Sequence, residues 1–285
     1  MCSIPLPSAL TPQMSLIVSL RTPDGVVIAG DSLSTMRNNL SVRADVDVQC
    51  PSCGQQHTQN IDLNPPPIPT TTFSYAQKIF PFMDDFAVGT FGAGQLAGKT
   101  MYFAVRELEQ ELREGDRRIH SVVNAADQVG QRAHELLKKQ IGENDQLDGL
   151  ESFPDDRVAI GFQVVGYHDG EPQTIEVHVG KRVSHEQKED VTASGAHNVV
   201  AALMQAWKRQ GGNPAFNLFS LQDAINYAEF MISTTAKHQE FSRQMESVGG
   251  ATDIALVTPF DGFQWIQQKD LSQTLEQSRH GRRNQ

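Results

Sequence analysis

The chain has 285 residues, 39% of them hydrophobic and 20% charged, a composition typical of a globular protein large enough to bury a sizeable core. With 34 acidic against 24 basic residues the net charge is −10, which argues against a nucleic-acid partner because its phosphates would be repelled. Three cysteines do not form a disulfide framework, and the sequence shows neither a secretory signal pattern nor an apolar run of membrane length. We therefore expect a cytoplasmic protein that does not bind a membrane.

A β-hairpin is the first element that the sequence predicts. Residues 1–14 contain three prolines and no periodicity, so we expect an irregular leader there. From Ser15 to Asp31 two apolar runs flank a turn at Pro23-Asp24-Gly25, which is a strong hairpin pattern. Because the ladder of a hairpin holds its ends at a fixed separation, Ser15 and Asp31 are a candidate functional pair.

Residues 38–72 differ in composition from both flanks and are predicted to form an insertion. The segment contains Cys50-Pro51-Ser52-Cys53, then His57, and then a proline-rich run at 64–69. Two thiolates separated by two residues can bind one zinc ion, but a structural site needs four ligands and these residues supply only three. An intact zinc site formed by Cys50, Cys53 and His57, and a degenerate knuckle with a free thiol pair, are both open.

The remaining chain alternates between strands and amphipathic helices. Lys78 begins a hairpin that ends in Gly92-Ala93-Gly94, where small residues allow backbone amides to approach a substrate. Apolar residues at helical spacing predict helices over about 94–114, 119–141 and 197–209, and one more after the capping box Ser220–Asp223. Further strands are predicted at 158–165, 174–179 and about 249–265, followed by a disordered polar tail at 271–285.

This order of elements predicts the α+β class. Strands, two helices, strands, two helices and final strands bury all their apolar faces if two sheets face each other with helices outside both. The predicted architecture is thus a four-layer α/β/β/α sandwich over residues 15–270, with the insertion at 38–72.

Five stretches, in this order, resemble the β-type subunits of the proteasome and the related peptidase of bacterial two-component ATP-dependent proteases. In these N-terminal-nucleophile hydrolases a threonine begins the first strand and an aspartate ends the second, where this chain has Ser15 and Asp31. Lys78 matches the family's lysine and arrives about thirty residues late because of the predicted insertion. The five stretches are the first hairpin, Lys78-Ile79-Phe80-Pro81, Gly89 to Gly94, Ala193-Ser194-Gly195 and Gly249 to Asp253.

The resemblance implies amide hydrolysis that requires no cofactor. In the family the α-amine of the nucleophile is the general base, and its ordinary pKa of roughly 7.7 to 8.0 suits that task. Lys78 would then stabilise the deprotonated hydroxyl of Ser15, and Asp31 would hold Lys78 in place. The Ala93 N–H would bind the oxyanion, and Ser194 would lie near the amine.

The resemblance also implies a serine variant of a threonine-type endopeptidase with a polypeptide substrate, a homo-oligomeric ring and an ATPase unfoldase as a candidate partner. Two features depart from the family. Serine in place of threonine lacks the methyl group that restricts the rotamers of the nucleophile. The usual Asp-x-x-Ser before the paired glycines is replaced by Met245 and Val248, with Glu246 and Ser247 one position off.

Ser15 has a free amine only if the residues before it are removed. Met14 followed by a small serine is the pattern that an initiator-methionine aminopeptidase removes, so we expect translation to begin at Met14 or the leader to be cut there. If Ser15 stays internal, the alternative is a non-catalytic ring or scaffold protein on the same fold. A small-molecule amidohydrolase is a further alternative, since a fold does not fix its substrate. From the residues alone, Ser15, Asp31 and Lys78 also fit a strand start, a turn acid and a solvated lysine.

Overall fold

The computed structural model describes residues 15–38, 42–49, 56–63, 68–142, 150–155, 157–212, 214–242 and 246–270, so the predicted leader and polar tail lie outside the described residues. The chain divides into two compact units, of which the smaller is Thr35–Phe73. That range overlaps the predicted insertion at 38–72. The rest of the chain, from either side of this segment, forms the larger unit.

The described residues form sixteen strands and four α-helices in a mixed α+β fold, which is the predicted class. The strands are β1 (Leu16–Arg21), β2 (Val26–Asp31), β3 (Ser34–Asn38), β4 (Val42–Gln49), β5 (Gln56–Leu63), β6 (Ile68–Phe73), β7 (Ile79–Phe82), β8 (Phe86–Gly92), β9 (Gln95–Leu96), β10 (Lys99–Thr100), β11 (Val158–His168), β12 (Glu171–Gly180), β13 (Val183–Lys188), β14 (Val191–Gly195), β15 (Thr252–Thr258) and β16 (Gly262–Gln267). The helices are α1 (Met101–Glu114), α2 (Val122–Gly142), α3 (Asn198–Arg209) and α4 (Leu221–Phe241). None of these helices is both long and apolar enough to cross a membrane.

The first large sheet has the strand order β14-β1-β2-β15-β16, with every neighbouring pair antiparallel. The predicted hairpin from Ser15 to Asp31 is confirmed: β1 pairs with β2, and the Thr22 N–H closes the turn by donating to the Gly25 carbonyl at 2.9 Å. One face of this sheet packs on α3 and α4, whose apolar side chains share a buried cluster with Leu16, Val18 and Leu20 of β1.

The second large sheet has the strand order β13-β12-β11-β8-β7 and is also antiparallel. Helices α1 and α2 cover one of its faces, and their apolar stripes share a buried cluster with Phe80, Phe162 and Val177 of the strands. The predicted helix at 119–141 is confirmed within a few residues, and the capping box at Ser220 that opens α4 is present with both of its hydrogen bonds.

A third buried cluster joins side chains of both large sheets. It contains Ile17 and Ile28 from the first sheet and Ile79 and Phe91 from the second. The sheets approach closely at Gly89, where a Cβ atom would lie 2.6 Å from Ile17 Cγ2, so a larger residue would force the strands apart. Strand β1 is thus packed on both faces.

Helix α1 begins seven residues later than predicted. The predicted start at residue 94 is wrong because the short strands β9 and β10 precede the helix, joined by a turn at Ala97 and Gly98 with φ values of 48° and 74°. Thr100 then caps α1 by accepting a hydrogen bond from the Phe103 N–H at 3.3 Å. The segment after Gly94 is therefore a tight hairpin rather than the first turn of a helix.

In the smaller unit the described residues form two strand pairs. Strand β3 pairs with β6, and β4 pairs antiparallel with β5 from Val42 opposite Leu63 to Gln49 opposite Gln56. In the sequence of β4, Val42, Ala44, Val46 and Val48 alternate with polar residues, a pattern that is typical of a strand.

Candidate active site

The carboxylate of Asp31 connects four separate segments of the chain. Its Oδ1 atom accepts hydrogen bonds from the Leu16 N–H at 2.8 Å and from Lys78 Nζ at 2.9 Å. Its Oδ2 atom accepts from the N–H groups of Leu33 and Gly249, both at 3.1 Å. The Asp31 residue is only 1% exposed, so its charge depends on these donors rather than on water.

Lys78 lies directly before β7 and is 4% exposed. Its Nζ atom donates to Asp31 Oδ1 and to the Leu33 carbonyl at 2.5 Å. Burial lowers the pKa of Lys78 from its ordinary value, and the neighbouring Asp31 carboxylate opposes that effect. The structure therefore brings together two residues that are 47 positions apart in the sequence, as a buried ion pair beside the start of β1.

Ser15 directly precedes β1 and is held through its backbone. Its N–H donates to the Ser247 carbonyl at 3.0 Å, and its own carbonyl accepts from the Ala196 N–H at 2.7 Å. Its φ of 76° lies in the left-handed region, which is strained for a residue other than glycine. Gly195 permits the close approach of β14, because a Cβ atom there would lie 2.2 Å from the Ser15 carbonyl oxygen. Ser15 thus adjoins the Leu16 N–H that binds Asp31.

Ser194 lies on β14 opposite Ile17 and belongs to a different set of contacts. Its hydroxyl donates to Glu176 Oε1 at 2.6 Å and accepts from Gln163 Nε2 at 2.7 Å. The backbone N–H of Ser15 contacts Ser247 instead. The predicted support of the Ser15 amine by Ser194 therefore stays a prediction.

Ala93 follows Gly92, whose φ of 92° turns the chain away from β8. The Ala93 N–H donates to the Ala159 carbonyl at 3.0 Å. Ala93 can bind an oxyanion only if this hydrogen bond is given up or shared, so its predicted role also stays a prediction.

Gln239 of α4 shapes the loop that contacts Ser15. Its Oε1 atom accepts from the N–H groups of Ser247 and Val248 at 2.7 and 3.0 Å, and its Nε2 atom donates to the Ser247 hydroxyl at 3.2 Å. Val248 is buried in the core, whereas Met245 lies outside the described residues. The sequence signal for Gln239 is its position: it continues the buried stripe of α4 at helical spacing from Ile232.

Lys269 and Asp253 form a second buried ion pair that the sequence analysis missed. The Lys269 N–H donates to Asp253 Oδ1 at 2.8 Å, its Nζ atom donates to Oδ2, and both side chains are 1% exposed. Lys269 also contributes to lowering the pKa of Lys78, so the two pairs are electrostatic neighbours. The signal was Asp253 itself, a carboxylate within the otherwise apolar strand β15, which requires a cation.

The predicted zinc ligands cannot be placed as a set. Cys50 and Cys53 lie outside the described residues, and the backbone of His57 lies in β5 opposite Val48. Among the residues that the structure describes, no three histidine, cysteine, aspartate or glutamate side chains cluster as metal ligands. Zinc binding stays a prediction.

Comparison with protein-family models gives no match to this chain, and a search of curated proteins gives no significant match.

Proposed function

We propose that the protein is an N-terminal-nucleophile hydrolase that cleaves amide bonds through Ser15 once residues 1–14 are removed. The observation that carries the proposal is the Asp31 carboxylate, which binds both the residue after Ser15 and the ammonium group of Lys78. A buried lysine held by an aspartate next to a serine is an arrangement that can activate a hydroxyl. The proposed fold is the four-layer α/β/β/α sandwich, which the shared cluster of the two sheets and the two helix-covered faces support.

In the proposed reaction the Ser15 α-amine takes the proton of Oγ as Oγ attacks the carbonyl carbon of the substrate. The carbon–nitrogen bond then breaks, the amine leaving group takes that proton, and an ester remains on Ser15. Water hydrolyses the ester with the same α-amine as base. Lys78 donates to two acceptors, which leaves its third proton for the developing alkoxide of Ser15.

The strained backbone of Ser15 supports cleavage before this residue. A φ of 76° at a residue with a side chain costs about 1 to 3 kcal/mol, and a free N-terminal residue has no φ constraint. We propose that removal of the leader releases this strain and supplies the base in one step. The polypeptide substrate, the homo-oligomeric ring and the ATPase partner are part of the proposal through the family resemblance.

A non-catalytic protein on the same fold is the second candidate. It is favoured by the engaged N–H of Ala93 and by Ser15, which is buried and bound to the Ser247 carbonyl. This alternative needs no processing, because Ser15 would then serve only as the first residue of the sheet.

Intact-mass measurement and N-terminal sequencing of the protein from its native source separate the two. We expect a mature chain that begins at Ser15 and becomes covalently labelled there by a peptide vinyl sulfone, with Ser15→Ala as the unlabelled control. A mature chain that retains residues 1–14 would exclude amine-assisted catalysis and leave the non-catalytic candidate.

A further inference from the structure

Glu176 of β12 contacts the strand that pairs with the nucleophile strand. Its Oε1 atom accepts the Ser194 hydroxyl proton at 2.6 Å, and the residue is buried. Gln163 of β11 donates to the same hydroxyl and lies 3.3 Å from the Ile17 carbonyl of β1. A carboxylate and an amide of the second sheet thus reach β14 and β1 of the first.

Lys188 and His178 lie close to the carboxylate of Glu176. Lys188 Nζ lies 3.0 Å from Glu176 Oε2 and 2.6 Å from Glu186 Oε2, and His178 Nε2 lies 3.7 Å from Glu176 Oε1. Burial opposes the charged form of Lys188, but its hydrogen bonds to both glutamates outweigh burial and raise its pKa. One oxygen of Glu176 therefore contacts a cation while the other fixes Ser194.

The hydrogen bonds of the Ser194 hydroxyl determine what further partner it can bind. A hydroxyl has one proton and two acceptor lone pairs, and here the proton goes to Glu176 while Gln163 occupies one lone pair. The Ser194 hydroxyl can therefore form a further hydrogen bond only as an acceptor. Two residues further along the chain, directly after β14, the Ala196 N–H holds the Ser15 carbonyl, so the segment that Glu176 fixes is also the segment that holds Ser15.

We propose that Glu176 is a positioning residue for Ser15 that acts through Ser194. It anchors the Ser15 end of the β1–β14 pair, and by taking the Ser194 proton it leaves that hydroxyl able only to accept from the α-ammonium group of Ser15. The anchoring stands on the contacts alone, whereas the second role rests on the proposed function.

Hydrogen exchange of backbone amides in the full chain tests the anchoring without any need for activity. In Glu176→Ala we expect the Leu16 and Ala196 amides to exchange about tenfold faster or more, because local opening there becomes easier. Glu176→Gln should restore most of the protection, since its amide oxygen accepts the same hydrogen bond. Glu186→Ala is the matched control: Glu186 lies directly opposite Glu176, contacts the same Lys188, and should leave both amides unchanged.

The rate at which a peptide vinyl sulfone labels Ser15, measured against pH, tests the second role. Asp31 and Lys78, the buried ion pair beside the start of β1, are the same in every variant. In Glu176→Ala the Ser194 hydroxyl keeps its proton free to donate, so it should accept less readily from the α-ammonium group, and the acid limb of labelling should move to lower pH by about half a unit. Glu176→Gln, whose amide oxygen takes the same proton, should keep the acid limb close to its wild-type position. Glu186→Gln should not move it.

The anchoring role and the second role of Glu176 can each fail without the other. Unchanged exchange at Leu16 and Ala196 in Glu176→Ala would overturn the anchoring, and an unmoved acid limb in Glu176→Ala would overturn the second role. If exchange quickens in Glu176→Ala but the wild-type chain is never labelled, the anchoring stands, whereas the proposed hydrolase activity and the second role that rests on it fail.

Discussion

Two buried aspartate–lysine pairs lie near each other in this protein, and they are built differently. Asp31 divides its two oxygens among three backbone amides from different segments and one ammonium group, that of Lys78. Asp253 directs both oxygens at a single residue, Lys269, through its backbone N–H and its Nζ atom. The residues and the degree of burial are alike, but the partners differ.

The difference indicates which lysine can be replaced while its buried carboxylate keeps most of its donors. Without Lys78, the charge of Asp31 would still be bound by three N–H groups, so the fold depends only partly on that lysine. Without the Lys269 side chain, Asp253 would keep one hydrogen bond from the backbone N–H of residue 269 and lose the ammonium group that contacts it, which is the costly case for a buried ion. Under the proposed function, the first pair serves the chemistry, and the second contributes to stability.

Replacing Lys78 by methionine should give the largest effect. We expect amide hydrolysis to fall by about 10³-fold or more, because the cation proposed to stabilise the deprotonated hydroxyl is lost while the fold is kept. The measurement is turnover of a fluorogenic peptide, with circular dichroism as the check on folding. Undiminished turnover in this variant would remove Lys78 from the mechanism.

Replacing Lys269 by methionine should instead lower the free energy of unfolding, by about 3 to 5 kcal/mol, because the buried Asp253 loses the ammonium group that contacts it. Urea unfolding measures the loss, and kcat of the molecules that remain folded should change little. The double variant Asp253→Leu/Lys269→Met should recover much of the stability. A loss of stability in Lys78→Met as large as in Lys269→Met would contradict the distinction drawn here.

The lowered pKa of Lys78 predicts the direction in which the free energy of unfolding changes with pH. Between the folded-state pKa and the ordinary value of 10.5, the unfolded chain binds a proton that the folded chain does not. The free energy of unfolding should therefore rise with pH in that window relative to Lys78→Met, which lacks the titrating group. Urea unfolding of the wild type and of Lys78→Met from neutral pH to pH 10 measures this change. If the free energy of unfolding of the wild type instead falls with pH relative to that of the variant, the effect of Asp31 on the Lys78 pKa outweighs that of burial.

An exposed ion pair should contribute least to the free energy of unfolding. Lys237 and Glu240 on α4 lie 2.7 Å apart, but both side chains are about half exposed or more. Lys237→Gln should change the free energy of unfolding by less than about 0.5 kcal/mol, because water and salt screen the pair. A larger loss in urea unfolding would mean that proximity, rather than burial, decides the strength of these pairs.

Periodicity was sufficient to predict the hairpin at Ser15, the helices α2 and α4 and the α+β class, since each depends on residues close in sequence. The pairing of Asp31 with Lys78 was predicted from the family resemblance rather than from the spacing of residues. Their roles in catalysis stay predictions.

Other parts of the site depend on tertiary packing and were not visible in the sequence. Glu176 alternates with apolar residues and looks like the solvent face of a strand, but that face packs against β14. Lys269 sits in a polar stretch that suggests exposure, and the Ala93 N–H meets Ala159, a residue 66 positions away. In each case the partner belongs to a distant segment.

The pairing of Lys269 also determines where this protein can be shortened or fused. Strand β16 ends at Gln267, and a boundary drawn from secondary structure would discard the lysine while keeping the buried carboxylate of Asp253. Charge compensation of Asp253 therefore extends two residues beyond the last described strand. A shortened chain or an attached tag should keep Lys269 if the protein is to retain its stability.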